Sequence, residues 1–254
     1  MIKSIRFCLF TTQFINSEDD CEDFLCNVEK NFGEKALPKK FGLYEPTEKS
    51  FIGERSAFVR YWQDGICWNY NFPKRQGSVS SENKLRTTHS IIEYDFKVKK
   101  NQEESYKLFL YYFAKKYSAD WIYYCFLHDD YIDPADNLLF SPSTIHLESW
   151  LAGIPWMGIF GKPYVDLFGK DTILSMPVFK TEEITSDIIF FQLTETLQDA
   201  INDYEAFSDL RSKVKEHLGK DAFLDQDAWD ELGFDAPSAK MLPKFDLVDP
   251  KEIK

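Results

Sequence analysis

Apolar residues recur along the chain with two different periods, and the switches between them mark out the elements. Residues 3–12 alternate, with Ile5, Phe7 and Leu9 set against Arg6, Cys8 and Phe10, and predict an opening strand. Ser17 then heads an acidic turn, SEDDCEDF, which suits the positive end of a helix; Phe24, Leu25 and Val28 give that helix a face and Gly33 a stop. Residues 55–63 and 66–72, rich in Phe, Val, Tyr and Trp, flank Asp64-Gly65. That dipeptide tolerates the positive φ values of a tight turn, so the pattern predicts a β-hairpin. Residues 73–88 read as a long polar loop or a ragged hairpin end, and 89–99 as a strand with Ile92, Tyr94, Phe96 and Val98 inward and Glu93, Asp95, Lys97 and Lys99 outward. Leu108, Phe109, Tyr112 and Phe113 predict a helix over 103–117, and the apolar run 121–127 a strand buried on both faces. Gly158 and Gly161 bracket WMGIFG, after which Pro163 sits where a helix can begin. Residues 178–184 and 188–193 read as a strand pair. Leu197, Ile201, Tyr204, Val214 and Leu218 predict one long helix closed by Gly219.

These elements describe an α+β domain over 1–254, its sheet mainly antiparallel with helices packed on it. A second, fused α+β subdomain could begin near 150–155, and residues 221–254, with Pro237, Pro243 and Pro250, read as a loop-like acidic tail. Aromatic content changes the picture only by excluding disorder: 23 Phe, 13 Tyr and 6 Trp in 254 residues must be buried or used at an interface. No apolar run reaches the roughly 20 residues of a membrane-spanning helix. The first residues carry too short an apolar run for an export signal, and the five cysteines have no paired spacing, so a cytoplasmic protein with reduced thiols is expected.

Charge changes it more. Residues 1–100 carry 16 bases and 14 acids, whereas 101–254 carry 14 bases and 28 acids, placing essentially all of the −12 net charge in the second half. Between 221 and 235 there are six acids and no base, interleaved with Phe223, Leu224, Trp229, Leu232 and Phe234. Such a segment repels nucleic acid and anionic membranes and attracts basic partners. The basic stretch 74–100 lacks interleaved aromatics in its loop and reads as solvated.

Catalytic material is sparse. GIFGK at 158–162 lacks the upstream glycine of a phosphate loop and has Pro163 where the hydroxyl residue belongs, so no nucleotide site or other cofactor is expected. His128, Asp129, Asp130 and Asp133, with Asp136 following, form the densest set of hard-metal ligands, and a metal-dependent hydrolase built on them is the alternative reading. Their spacing is not that of a calcium loop, and Pro134 interrupts any helix that would align them. A nucleophilic Cys125 would need His89, His128 or His146 beside it, yet it lies in an apolar run where a thiol stays protonated. No G-x-S-x-G is present, and the chain reads as non-enzymatic.

Three segments resemble a known family: LPKKFGLYEP (37–46), AGIPWMGIFGKPYVDLFG (152–169) and HLGKDAFLD (217–225). They are similar to immunity proteins of bacterial polymorphic-toxin and type VI secretion systems. The resemblance implies an α+β protein that neutralises a cognate protein toxin by binding it, without catalysis, and it transfers no functional residues. An acidic inhibitor suits a basic toxin. The partner-binding residues expected from the charge pattern are Asp225, Asp227, Trp229, Asp230, Glu231 and Phe234, on an exposed surface.

Overall fold

The structure is a computed structural model that describes residues 4–43, 46–68, 77–80, 89–99, 101–127, 134–140 and 147–247. Its strands are β1 (Ser4–Thr11), β2 (Lys40–Gly42), β3 (Lys49–Ser50), β4 (Ile66–Trp68), β5 (Gly77–Ser80), β6 (Ser90–Lys97), β7 (Trp121–Cys125), β8 (Met157–Phe160), β9 (Lys180–Thr185) and β10 (Ile188–Gln192). They form one sheet in the order β3-β2-β4-β5-β6-β1-β7-β8-β10-β9, and each neighbouring pair is antiparallel. The sheet runs straight across the 150–155 region, because β7 pairs with β8 from Trp121↔Phe160 to Tyr124↔Met157. The α+β, mainly antiparallel class expected from the pattern is the class observed.

Register assigns side chains to the two faces, since residues opposite one another in adjacent strands point the same way. Phe7 lies opposite both Tyr94 and Tyr124. This face is covered by helices α1 (Glu18–Phe32), α2 (Arg55–Trp62) and α3 (Glu103–Lys116). Phe24 of α1 sits among the rings of Trp62, Trp68, Tyr94, Phe109 and Phe113, at centroid separations of 5.4 to 6.2 Å. Helix α1 begins where the acidic turn placed it: Ser17 and Asp20 exchange side-chain–backbone bonds in a capping box, and Gly33 ends it at φ +84. The buried face of α3 is rotated from the expected one, with Tyr106, Phe109, Leu110 and Phe113 inward and Leu108 and Tyr112 exposed.

The other face carries Arg6, Cys8 and Phe10 with their partners Asp95, Glu93, Trp121, Tyr123 and Cys125. A second layer covers it, built from α4 (Pro134–Phe140), α5 (Lys162–Phe168), α6 (Lys170–Leu174) and α8 (Tyr204–Leu218), while α7 (Leu197–Asn202) starts beside Glu103 of α3 and α9 (Gln226–Leu232) rests on Trp150. Of the positions expected to face water here, Lys97 and Lys99 do so, whereas Glu93 is buried and Asp95 half-buried. Glu93 accepts from the Ser78 hydroxyl at 3.0 Å, and Asp95 takes a bidentate pair from Arg6 at 2.6 and 2.8 Å. Arg6 also lies 3.9 Å from the Phe140 ring centroid and donates to the Phe140 carbonyl. The Leu139 carbonyl accepts from Tyr123 Oη at 2.9 Å and Cys125 Sγ at 3.5 Å. Sheet donors thus satisfy the open carbonyl end of α4.

Four expectations are corrected. Residues 55–63 form α2 rather than a strand, because Phe58 and Trp62 recur at i, i+4 and bury one stripe against Phe41, Phe51 and Trp68. Asp64-Gly65 turns the chain from that helix into β4, with Gly65 at φ +81; the positive φ is as expected, the hairpin is not. The polar stretch after residue 72 contains a strand, β5. The helix expected over 197–218 is two helices, because Asp203 leaves the helical region and caps α8 through Ala206 N–H at 3.0 Å.

Gly65 gives a direct test. A Cβ there would sit 3.4 Å from the Val79 carbonyl in a conformation that β-branched residues avoid. Gly65→Val is expected to cost about 1 kcal/mol or more, read as a lowered Tm.

Candidate partner-binding surface

Asp225 is the residue on which the acidic tail becomes ordered. Its side chain accepts the Ala228 N–H at 3.2 Å and caps α9, so the segment expected as a loop carries a two-turn helix. Its apolar residues, Ala228, Trp229 and Leu232, fall at helical spacing but are too few over two turns to stand out, and α9 buries none of its residues fully. Asp227, Asp230 and Glu231 stand at i, i+3 and i+4 and share one exposed stripe. Asp230 accepts from Gln226 Nε2 at 2.7 Å; no ion pair among the described residues engages Asp225, Asp227, Asp230 or Glu231. Leu232, 49% exposed, ends the helix beside them.

Trp229 departs from expectation. It is half-buried, its ring edge-on to the buried Trp150 at 5.7 Å, where an exposed anchor was anticipated. The indole on α9's inner side tethers the helix to the body of the protein. The chain after α9 is tied down by backbone bonds, Ala239 N–H to Ser149 O at 2.7 Å and Met241 N–H to Asp221 O at 2.9 Å. The structure therefore brings Asp225, Asp227, Asp230 and Glu231 onto one outward surface and turns Trp229 towards the body. The side chain of Phe234 lies outside the described residues.

The fold has a known counterpart. It is shared by a solved structure of the Pseudomonas aeruginosa T6SS protein PA0821, with a TM-score of 0.54 at 12% identity, over 85% of this chain and 73% of that one. At that identity the likeness is one of fold. No family profile matches the chain, and no curated protein sequence does.

The chemistry weighed elsewhere falls as follows. His128, Asp129, Asp130, Asp133 and His146 lie outside the described residues. Asp136 is buried in α4, 2.7 Å from the Arg211 guanidinium, with Tyr204 Oη donating to its other oxygen. No group of three or more His, Cys, Asp or Glu side chains placed to hold a metal occurs among the described residues. Burial pushes the Cys125 thiol well up, which keeps it protonated. Gly158 and Gly161 serve close packing, and the exposed Lys162 pairs with Asp166 at 2.6 Å.

One buried titratable pair has a measurable signature. His89 Nε2 lies 3.6 Å from Asp120 Oδ2, beyond hydrogen-bond length, and Phe245 closes over the imidazole edge-on at 4.4 Å. Burial lowers His89 from 6.5 to about 4 and raises Asp120 from 3.8 to about 6, the latter opposed by the Thr12 N–H it accepts. The stability that His89 contributes is present above 6.5 and lost as pH falls through 4. The Asp120 contribution is present below 3.8 and lost as pH rises through 6. The two slopes oppose each other between about pH 4 and 6. His89→Gln removes one of them, so its destabilisation relative to wild type should shrink as pH falls from 6.5 to 4, by about 1–3 kcal/mol. Urea melts of both proteins across that range check it; a pH-independent difference contradicts it.

Proposed function

We propose that this chain is a non-catalytic immunity-type protein that binds and neutralises a basic toxin of a type VI secretion system. The observation that carries the reading is α9, an outward stripe of carboxylates on a helix that buries no residue fully. A fold has no use for three like charges at i, i+3 and i+4, which repel one another. A cationic partner gains from them in both encounter rate and choice of partner. The T6SS designation of PA0821, a protein of the same fold, supports the secretion-system context. Trp229 acts here as a positioning residue, holding α9 against Trp150 so that the stripe keeps one orientation.

Genetic adjacency supplies the test. The gene beside this one should encode a basic protein that arrests growth when expressed alone, and co-expression of this chain should restore growth and yield a co-purifying pair. If the two proteins never co-purify and growth stays arrested, the reading fails.

A further inference from the structure

Beside α9 the surface opens into a cleft of about 610 Å³, within the range of sites that enclose a ligand or several side chains. Its floor is Phe223, only 5% exposed, with Leu224 next to it, and the returning chain at Pro237 and Ala239 forms one wall. Lys215 leans over the floor, its ammonium 5.7 Å from the Phe223 ring centroid. The rim is charged but neutral in sum. Lys215, Lys220 and Lys240 face Glu216, Asp221 and Asp225, and two of these pairs are joined: Lys220–Glu216 at 2.8 Å and Lys240–Asp221 at 3.1 Å. Both pairs are more than half exposed, so opening them costs little. Asp225 lines the cleft and caps α9, so the cleft opens beside the start of the helix that carries the acidic stripe.

We infer that this cleft seats an aromatic side chain of the bound protein, carried on a basic segment whose neighbouring Lys or Arg residues lie along α9. The aromatic class follows from the floor, where an incoming ring meets the Phe223 ring and shares the Lys215 ammonium. The basic flanks follow from the sign of the adjoining helix, since the neutral cleft leaves Asp227, Asp230 and Glu231 as the net charge of the surface. The division of labour is that of an interface with one desolvated anchor and a charged periphery. This inference rests on the proposed function for the identity of the bound protein, and on the cleft and the adjoining α9 for the chemistry it accepts.

The test uses the full chain and three blocked tripeptides, Ac-Lys-Trp-Lys-NH2, Ac-Lys-Ala-Lys-NH2 and Ac-Glu-Trp-Glu-NH2, titrated while amide shifts are followed by NMR. The first should shift the amides of Ala222, Phe223 and Ala239 saturably, with the second and third at least tenfold weaker. Ser238→Trp, an exposed position on the cleft wall, should fill the space and abolish the response while leaving the melting temperature in place. The inference is overturned if the shifts map away from the cleft, if Lys-Ala-Lys matches Lys-Trp-Lys, or if Ser238→Trp leaves the titration unchanged. A toxin that binds wild type and Ser238→Trp equally well would overturn the cleft assignment while sparing the immunity reading. Absence of any toxin partner would do the reverse, because the tripeptide result stands without one.

Discussion

Asp136→Ala is expected to destabilise the protein by about 3–5 kcal/mol, read as a lower urea midpoint with an unchanged slope. Asp136 and Arg211 are 8% and 3% exposed at their side chains and 2.7 Å apart, and Tyr204 Oη donates to the same carboxylate. Deleting the carboxylate leaves a guanidinium charge inside the protein, and desolvation of that ion dominates the cost. The double variant Asp136→Leu with Arg211→Met removes both charges and should recover most of the loss. If the double variant is as unstable as the single one, shape at this site matters more than charge.

Gly161→Ala is expected to cost about 3 kcal/mol or more. A Cβ at this position would lie 2.0 Å from the Ala119 carbonyl oxygen, and the obstacle is backbone at the edge of the central strands. Gly161 N–H donates to Asp120 O at 3.0 Å, so the two chains are held at that approach. Relief requires moving β7 against the start of α5, which would disturb the stacked rings of Trp121 and Phe160, 4.7 Å apart. A variant that melts with wild type would show that the junction is looser than its geometry.

Much of the sheet was legible because the chain alternates or runs apolar where strands occur, as at β1, β6, β7 and β10. The Ser17 cap and the Pro163 helix start were equally local signals. Where reading failed, a tertiary choice overrode a local one. Residues 55–63 carry β-favouring aromatics, and only the burial of Phe58 and Trp62 on one stripe makes them helical. Glu93 and Asp95 look like solvent-facing positions, yet a second helical layer buries them against Ser78 and Arg6. The acidity of the candidate surface was visible in sequence. Its geometry was not, because α9 is a two-turn helix held by a cap and a tryptophan contact, with no fully buried residue to give it a strong apolar signal.

The central claim is that the carboxylates of α9 recruit a basic partner. The decisive measurement is the association rate of the neighbouring gene's product with wild type and with Asp227→Lys/Asp230→Lys, over a range of salt concentrations. Steering predicts a rate about tenfold or more lower for the double variant at low salt, with the two converging as the Debye length shrinks to roughly 3 Å at 1 M. Equal rates at low salt, in a variant that melts with wild type, would contradict the account and place the interface elsewhere on the protein.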